Sequence, residues 1–192
     1  RFRDIQVEDL LGREQIRLEE DSLAGFLKDK AVLVTGAGGS IGSELARQVA
    51  RFGPGILILL DRAEFALFEI DRELRRLRPG LTIEAVVADV CDESRMRAVF
   101  ARHRPAVILH AAAHKHVPLV ELNPCEGVKN NVLGTWCVGE IASEFGAEAF
   151  ILISTDKAVR PTSVMGASKR VAELAVQELD SKDGTRCLAV RF

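Results

Sequence analysis

Gly36, Gly39 and Gly42 stand three residues apart in the run Thr35-Gly36-Ala37-Gly38-Gly39-Ser40-Ile41-Gly42. That spacing suits phosphate recognition. The first glycine permits a tight turn, the second lets a phosphate approach the backbone, and the third lets helix and strand pack closely. Backbone N–H groups from Gly38 through Ser40, Ile41 and Gly42, with the positive end of the following helix, would then face a pyrophosphate. Asp61 follows about 20 residues on, where a carboxylate that binds the adenine-ribose hydroxyls belongs. It would repel a 2′-phosphate and so favours NAD. Arg62 beside it could grip that phosphate, which keeps NADP open, or could be a solvated cation at a helix start. Asp89 ends another apolar run and either meets the adenine edge or caps the next helix.

A second group of residues could move protons. Asp156 and Lys157, an adjacent acid and amine, follow the apolar run Phe150–Ile153. Open α/β sheets place their ligand crevice beyond such strand ends. The pair has the functional groups for two proton transfers; its plain alternative is a surface ion pair. A base role for Lys157 needs its pKa lowered by burial or by neighbouring charge. His114, Lys115 and His116 follow a fourth apolar run. Two histidines at i, i+2 without a third ligand at suitable spacing make no metal site, so they read as a crevice wall. Lys115 is the candidate polar contact in that wall.

These groups need elements to hold them. Ala31–Val34, Ile56–Leu60, Ile83–Ala88, Val107–Leu109 leading into His110, Phe150–Ile153 and Cys187–Phe192 read as strands. Ile56–Leu60 is apolar throughout, as a strand covered on both faces should be. Between them lie helical patterns over Ser40–Phe52, Ala63–Leu77, Asp92–His103, Pro124–Phe145 and Ser163–Leu179. Strands joined by such helices pair as parallel neighbours, which predicts a doubly wound α/β Rossmann sheet, order 3-2-1-4-5-6. Residues 1–30 stand outside the pattern as a charge-rich lead-in, with a weak amphipathic stretch at Ser22–Leu27. The chain opens at Arg1 and stops at Phe192 within an apolar run, and is expected to be a fragment with 31–192 as its domain.

Composition bounds the rest. Of 192 residues, 26 Lys and Arg face 28 Asp and Glu, for a net charge of −2, and 47% are hydrophobic. That is the balance of an ordinary globular chain, able to bury roughly 70% of its unfolded surface. It excludes disorder, collagen and a disulfide scaffold, and gives no bulk attraction to nucleic acid or an anionic membrane. Cys91, Cys125, Cys137 and Cys187 lie far apart and read as free thiols. No run approaches the ~18 apolar residues of a spanning helix, and the opening residues are not expected to be a signal peptide.

The motifs together resemble a known family. The glycine loop, Asp89-Val90, His110-Ala111-Ala112-Ala113, Asn131-Val132-Leu133-Gly134-Thr135 and Ser154-Thr155-Asp156-Lys157, then a helix with Lys169, look like an extended short-chain dehydrogenase/reductase. His114-Lys115-His116-Val117-Pro118, Thr155 through Pro161 and Met165-Gly166-Ala167-Ser168-Lys169 narrow the likeness to the polysaccharide-biosynthesis type. That type includes the nucleotide-sugar 4,6-dehydratases acting on UDP-N-acetylglucosamine. The resemblance implies a tightly held NAD or NADP contacted by Val90, Ala111, Ala112, Lys115, Asn131 and Lys169. Asn131 would steady the backbone near the active-site helix. It further implies Thr155 at the carbon-4 oxygen, Asp156 as the acid for the leaving hydroxyl, and Lys157 as the carbon-5 base.

The superfamily pattern is Tyr-x-x-x-Lys on one helix, and here Met165 stands where the Tyr would be. A thioether takes no proton, and a general base is worth roughly 10²–10⁴ in rate. One branch of the dehydratases carries this Met, so the departure points to that branch. Epimerase activity, or a non-catalytic cofactor-binding module, are the competing readings. Resemblance also implies a homo-oligomer paired through Pro124–Phe145 and Ser163–Leu179, and a full-length protein anchored at the cytoplasmic membrane face by an N-terminal region. A chain ending at the sixth strand is expected to bind cofactor and to turn over a UDP-sugar poorly.

Overall fold

The computed structural model describes residues 20–180 and 184–192; most of the charge-rich lead-in lies outside them. Six strands form one parallel sheet: β1 Ala31–Thr35, β2 Ile56–Asp61, β3 Ile83–Val87, β4 Val107–His110, β5 Ala149–Ser154 and β6 Arg186–Arg191. Their order is β3-β2-β1-β4-β5-β6, as the alternation of elements predicts. Register is regular, with Val32 opposite Leu57 on one side of β1 and opposite Val107 on the other.

The sheet is apolar because both faces are covered. Strand side chains alternate between faces, so Val32, Val34, Leu57 and Leu59 meet α1 (Glu20–Leu27), α2 (Ser40–Arg51) and α3 (Glu64–Leu77) through Leu27, Val49 and Leu67. Leu33, Ile58, Leu60, Ile108 and Phe150 point the other way. They pack on Phe100 of α4 (Glu93–His103), Ile141 of α7 (Gly134–Glu144) and Val176 of α8 (Val164–Asp180). Phe100 and Phe150 are fully buried, and truncating either to alanine should cost about 3–5 kcal/mol. Asp92 caps α4 by accepting from Arg95 N at 3.0 Å, and Ser163 caps α8 by accepting from Gly166 N at 3.0 Å.

The segment read as one helix over Pro124–Phe145 is broken in a specific way. A short helix, α5 (Val117–Leu122), precedes it with Pro118 in its first turn. Then come α6 (Pro124–Val128), a π turn at Lys129–Leu133, and α7. The wider turn inserts a residue and lets the adjacent Asn130 and Asn131 both lie buried. Apolar periodicity carries no signal for that insertion. Asp89 does not cap α4 either; it accepts from Cys91 N at 2.9 Å and steadies the turn after β3.

Candidate active site

The carboxyl ends of β1, β2, β3 and β4 surround a cavity of about 140 Å³. Beside it lies a cleft of about 340 Å³ between the start of α2, the end of β5 and the first turns of α8. Gly39, Ala111, Ala113 and His114 line both, so the two spaces adjoin.

Glycine is required where the loop is tightest. Gly36 has φ +67°, and a Cβ there would lie 2.6 Å from Ala112 N; a Cβ on Gly42 would lie 2.0 Å from Gly36 O. The loop is thus pressed against β4 on one side and against the start of α2 on the other. No side chain caps α2, whose N-cap is Gly39, and helix geometry leaves its first N–H groups without intrahelical partners. Ser40, Ile41 and Gly42 present that end to the cleft. A groove closed by backbone and ending on an uncapped helix start fits a dinucleotide pyrophosphate.

The residues expected at the adenosine end are brought together. Gly36, Asp61, Arg62, Asp89, Val90 and Ala112 line the smaller cavity. Gly38 lines neither space: its N–H donates to Asp61 Oδ2 at 2.9 Å, while Ala63 N donates to Oδ1 at 2.9 Å. Asp61 therefore holds the loop and the β2–α3 turn. Arg62 reaches Asp89 Oδ2 at 3.4 Å and His114 Nε2 at 2.8 Å.

At the other end, Thr155, Lys157, Met165 and Lys169 line the larger cleft, with Lys115, whose Nζ is 3.5 Å from Ser40 Oγ. Lys169 is 4% exposed and donates to Ile153 O at 2.7 Å. Burial pushes its pKa down to about 8, against the opposing charge of Glu173. Met165 is buried at 3% exposure beside it. Asp156 lies outside the cleft lining. Its carboxylate is exposed, accepts from Thr155 Oγ1 at 3.0 Å, and has Lys157 Nζ at 3.8 Å. Asn131 lies beneath the site, not in its wall. It accepts from His114 N at 2.7 Å and donates to His114 O at 3.0 Å and Ser168 Oγ at 2.9 Å, tying the loop after β4 to α8.

Two buried ionisable groups support this floor without having been singled out as site residues. His110 is fully buried, with Nδ1 2.8 Å from Thr35 Oγ1 and Nε2 3.1 Å from Thr135 Oγ1. Burial, then the charge of Lys169, push its pKa down to about 3, so the imidazole is neutral. Glu173 lies four residues beyond Lys169, on the same helix face. It takes Ser154 Oγ at 2.7 Å, Arg170 at 3.1 Å, and Arg191 at 2.8 and 2.6 Å. Those donors, Arg191 first, hold its pKa down to about 2. The i, i+4 spacing from Lys169 was the available signal, but the partner on β6 is invisible without the fold.

A doubly wound sheet with a glycine loop at its switch point, and a helix lysine facing the end of β5, is the architecture of the extended short-chain dehydrogenase/reductases. Residues 32–192 match the model of the family described as polysaccharide biosynthesis protein, and the chain belongs to that family. It is 47% identical over its whole length to the probable polysaccharide biosynthesis protein EpsC of Bacillus subtilis strain 168, of which it spans 32%. Over 167 residues, 85% of the chain, it is 32% identical to a UDP-N-acetylglucosamine 4,6-dehydratase (inverting) of Campylobacter jejuni and spans 48% of that protein. Among solved structures it resembles Pen from Bacillus thuringiensis, with a TM-score of 0.80, 29% identity, and coverage of 87% of this chain and 51% of that one. The chain thus spans a third to a half of the relatives it matches.

Proposed function

We propose that this chain is the cofactor-binding and catalytic part of a nucleotide-sugar 4,6-dehydratase. In this reading it converts UDP-N-acetylglucosamine to a UDP-4-keto-6-deoxy sugar for surface polysaccharide. What carries the reading is one cleft of about 340 Å³ lined at once by the start of α2, by Thr155 and Lys157, and by Lys169. The 32% identity to a UDP-N-acetylglucosamine 4,6-dehydratase supports it.

A bound nicotinamide would supply reversible hydride chemistry at carbon 4 and carbon 6. The chain's own groups do the rest. Asp61 faces the adenine ribose and favours NAD; Arg62 is the group for a 2′-phosphate if NADP is used. Lys169 would hold the nicotinamide ribose, and Thr155 holds the carbon-4 oxygen and passes its hydroxyl proton to Asp156 Oδ1, 3.0 Å from Thr155 Oγ1. A carbon-4 ketone acidifies the neighbouring proton, so Lys157 takes it from carbon 5 as the carbon-6–oxygen bond breaks. Asp156 protonates that oxygen, water leaves, and Lys157 returns a proton to carbon 5 as carbon 6 is reduced. This role asks Asp156 to turn from Thr155 Oγ1 into the cleft. Met165 takes no proton, and the buried floor of the Lys169 ammonium and the neutral His110 imidazole replaces no phenol directly. Pairing through the helices is supported by exposed Leu133, Val171 and Leu174.

UDP needs a surface beyond β6, and the relatives are about two to three times as long as this chain. The 192 residues alone are expected to hold cofactor and turn over sugar poorly. The test is full-length protein incubated with UDP-N-acetylglucosamine, reading the ultraviolet absorbance of a 4-keto product in base. Asp156→Asn and Lys157→Met should each lower the rate at least ~10²-fold. Unchanged rates, or no product from cofactor-loaded protein, would overturn the proposal.

A further inference from the structure

We propose that Arg62 is a clasp over the adenosine cradle and His114 its latch, closed while the imidazole is neutral and opened when it takes up a proton. The inference rests on the dinucleotide reading of the cleft given above.

Arg62 follows β2 directly and reaches both ways, to Asp89 beyond β3 and to His114 beyond β4. In the sheet, β1 lies between β2 and β4. With strands ~4.8 Å apart, the side chain crosses roughly 10 Å above the end of β1, where the glycine loop begins. Arg62, Asp89 and His114 all line the same cavity, so the arm runs along its wall from the β3 side to the β4 side. The two neighbours Asp61 and Arg62 divide the work. Asp61 is tied inward to Gly38 and Ala63, and Arg62 is the one that reaches across.

The latch post is rigid. His114 is held by its backbone on both sides to Asn131, which is fully buried. A guanidinium only donates, so His114 Nε2 must accept and Nδ1 must carry the hydrogen. Only a neutral imidazole can do this. Burial, then the charge of Arg62, hold His114 below its ordinary pKa, while Glu126 of α6 and Asp89 pull the other way. Lys115 and His116, the next residues, line the outer cavity with Arg62 and Glu126. The clasp is therefore closed at neutral pH. As pH falls through the lowered pKa, the acceptor is lost and two cations face each other. Arg62 and Asp89 are partly exposed, at 47% and 38%, so the bond is worth a modest factor, not orders of magnitude.

The experiment measures release of NADH from the purified protein by fluorescence after a chase. Between pH 7.5 and 5.5 the wild-type off-rate should rise about three- to tenfold. His114→Gln, whose amide oxygen can accept from Arg62 and does not titrate, should stay slow at both values. Arg62→Ala should be fast at both. The clasp is overturned if His114→Gln keeps the wild-type pH dependence or if Arg62→Ala releases NADH at the wild-type rate. A second readout needs no cofactor: in an NMR titration Arg62→Ala should raise the His114 pKa, and an unmoved titration refutes the contact. Protein that takes up neither NADH nor NADPH would overturn the dinucleotide reading and the clasp with it; failure of the variants in binding-competent protein sinks the clasp alone.

Discussion

Lys169 is the residue whose charge the site can least do without and whose surroundings most oppose it. With its pKa pushed to about 8, it is an ammonium below that pH and an amine above it. Affinity for NADH should therefore fall as pH rises through about 8, well before a surface lysine would titrate. Lys169→Arg should abolish that alkaline limb, and a fluorescence titration between pH 7 and 10 reads both. His110 gives a different pH signature. Its folded pKa of about 3 lies below the unfolded value, so the unfolded chain takes the proton first. The stability it contributes is complete above about pH 6.5 and is lost as pH falls toward 3, with a slope approaching ~1.4 kcal/mol per pH unit. Urea unfolding at pH 7, 6 and 5 should show this slope, and His110→Gln should remove its share. The sequence displayed Lys169 four residues from Met165 but not the depth of either. The histidine read as a strand end because burial between Thr35 and Thr135 is a fact of three distant segments.

At the level of elements, the glycine loop and the β5–α8–β6 junction are the points of least tolerance. A Cβ at Gly42 would sit 2.0 Å from Gly36 O, backbone against backbone, whereas a Cβ at Gly80 meets nothing within 4 Å. Gly42→Ala should cost at least ~3 kcal/mol in thermal or urea unfolding, and Gly80→Ala less than ~0.5 kcal/mol. Glu173→Gln should cost about 2 kcal/mol or more, because it strips Arg191 and Arg170 of a buried carboxylate. Hydrogen exchange should then quicken first in β6. The six strands were legible because continuous apolar runs such as Ile56–Leu60 admit few alternatives at that length. The π turn at Lys129–Leu133 was not. It lets the side chain of Asn131 grip His114 and Ser168, tertiary contacts that leave no local period.

Across the whole molecule the sheet is covered unevenly. Phe150 and Leu152 of β5 face the buried core. On the opposite face Leu188 and Val190 of β6 are 41% and 42% exposed, in register with Ile151 and Ile153. Leu188→Thr with Val190→Thr should cost this chain less than ~1 kcal/mol and lower its binding of a hydrophobic dye; a loss above ~2 kcal/mol would contradict an open face. The smaller cavity and the larger cleft lie at the other extreme, at the strand ends, where the doubly wound order puts its switch point. That placement followed from the alternation of strands and helices. The outward turn of Asp156 did not, since one residue's side-chain rotation has no sequence signature.

The central claim is that an acid and an amine at the end of β5 carry out an elimination on a hexose oxidised beside them. Product formed from UDP-N-acetylglucosamine by the full-length protein in D₂O, analysed by NMR, tests it most directly. The account predicts one deuterium at carbon 5, because that proton passes through a solvent-exchangeable base, with a carbon-6 methyl group that retains the original carbon-4 hydrogen. A product without deuterium at carbon 5, or one that keeps its carbon-6 hydroxyl, would contradict it.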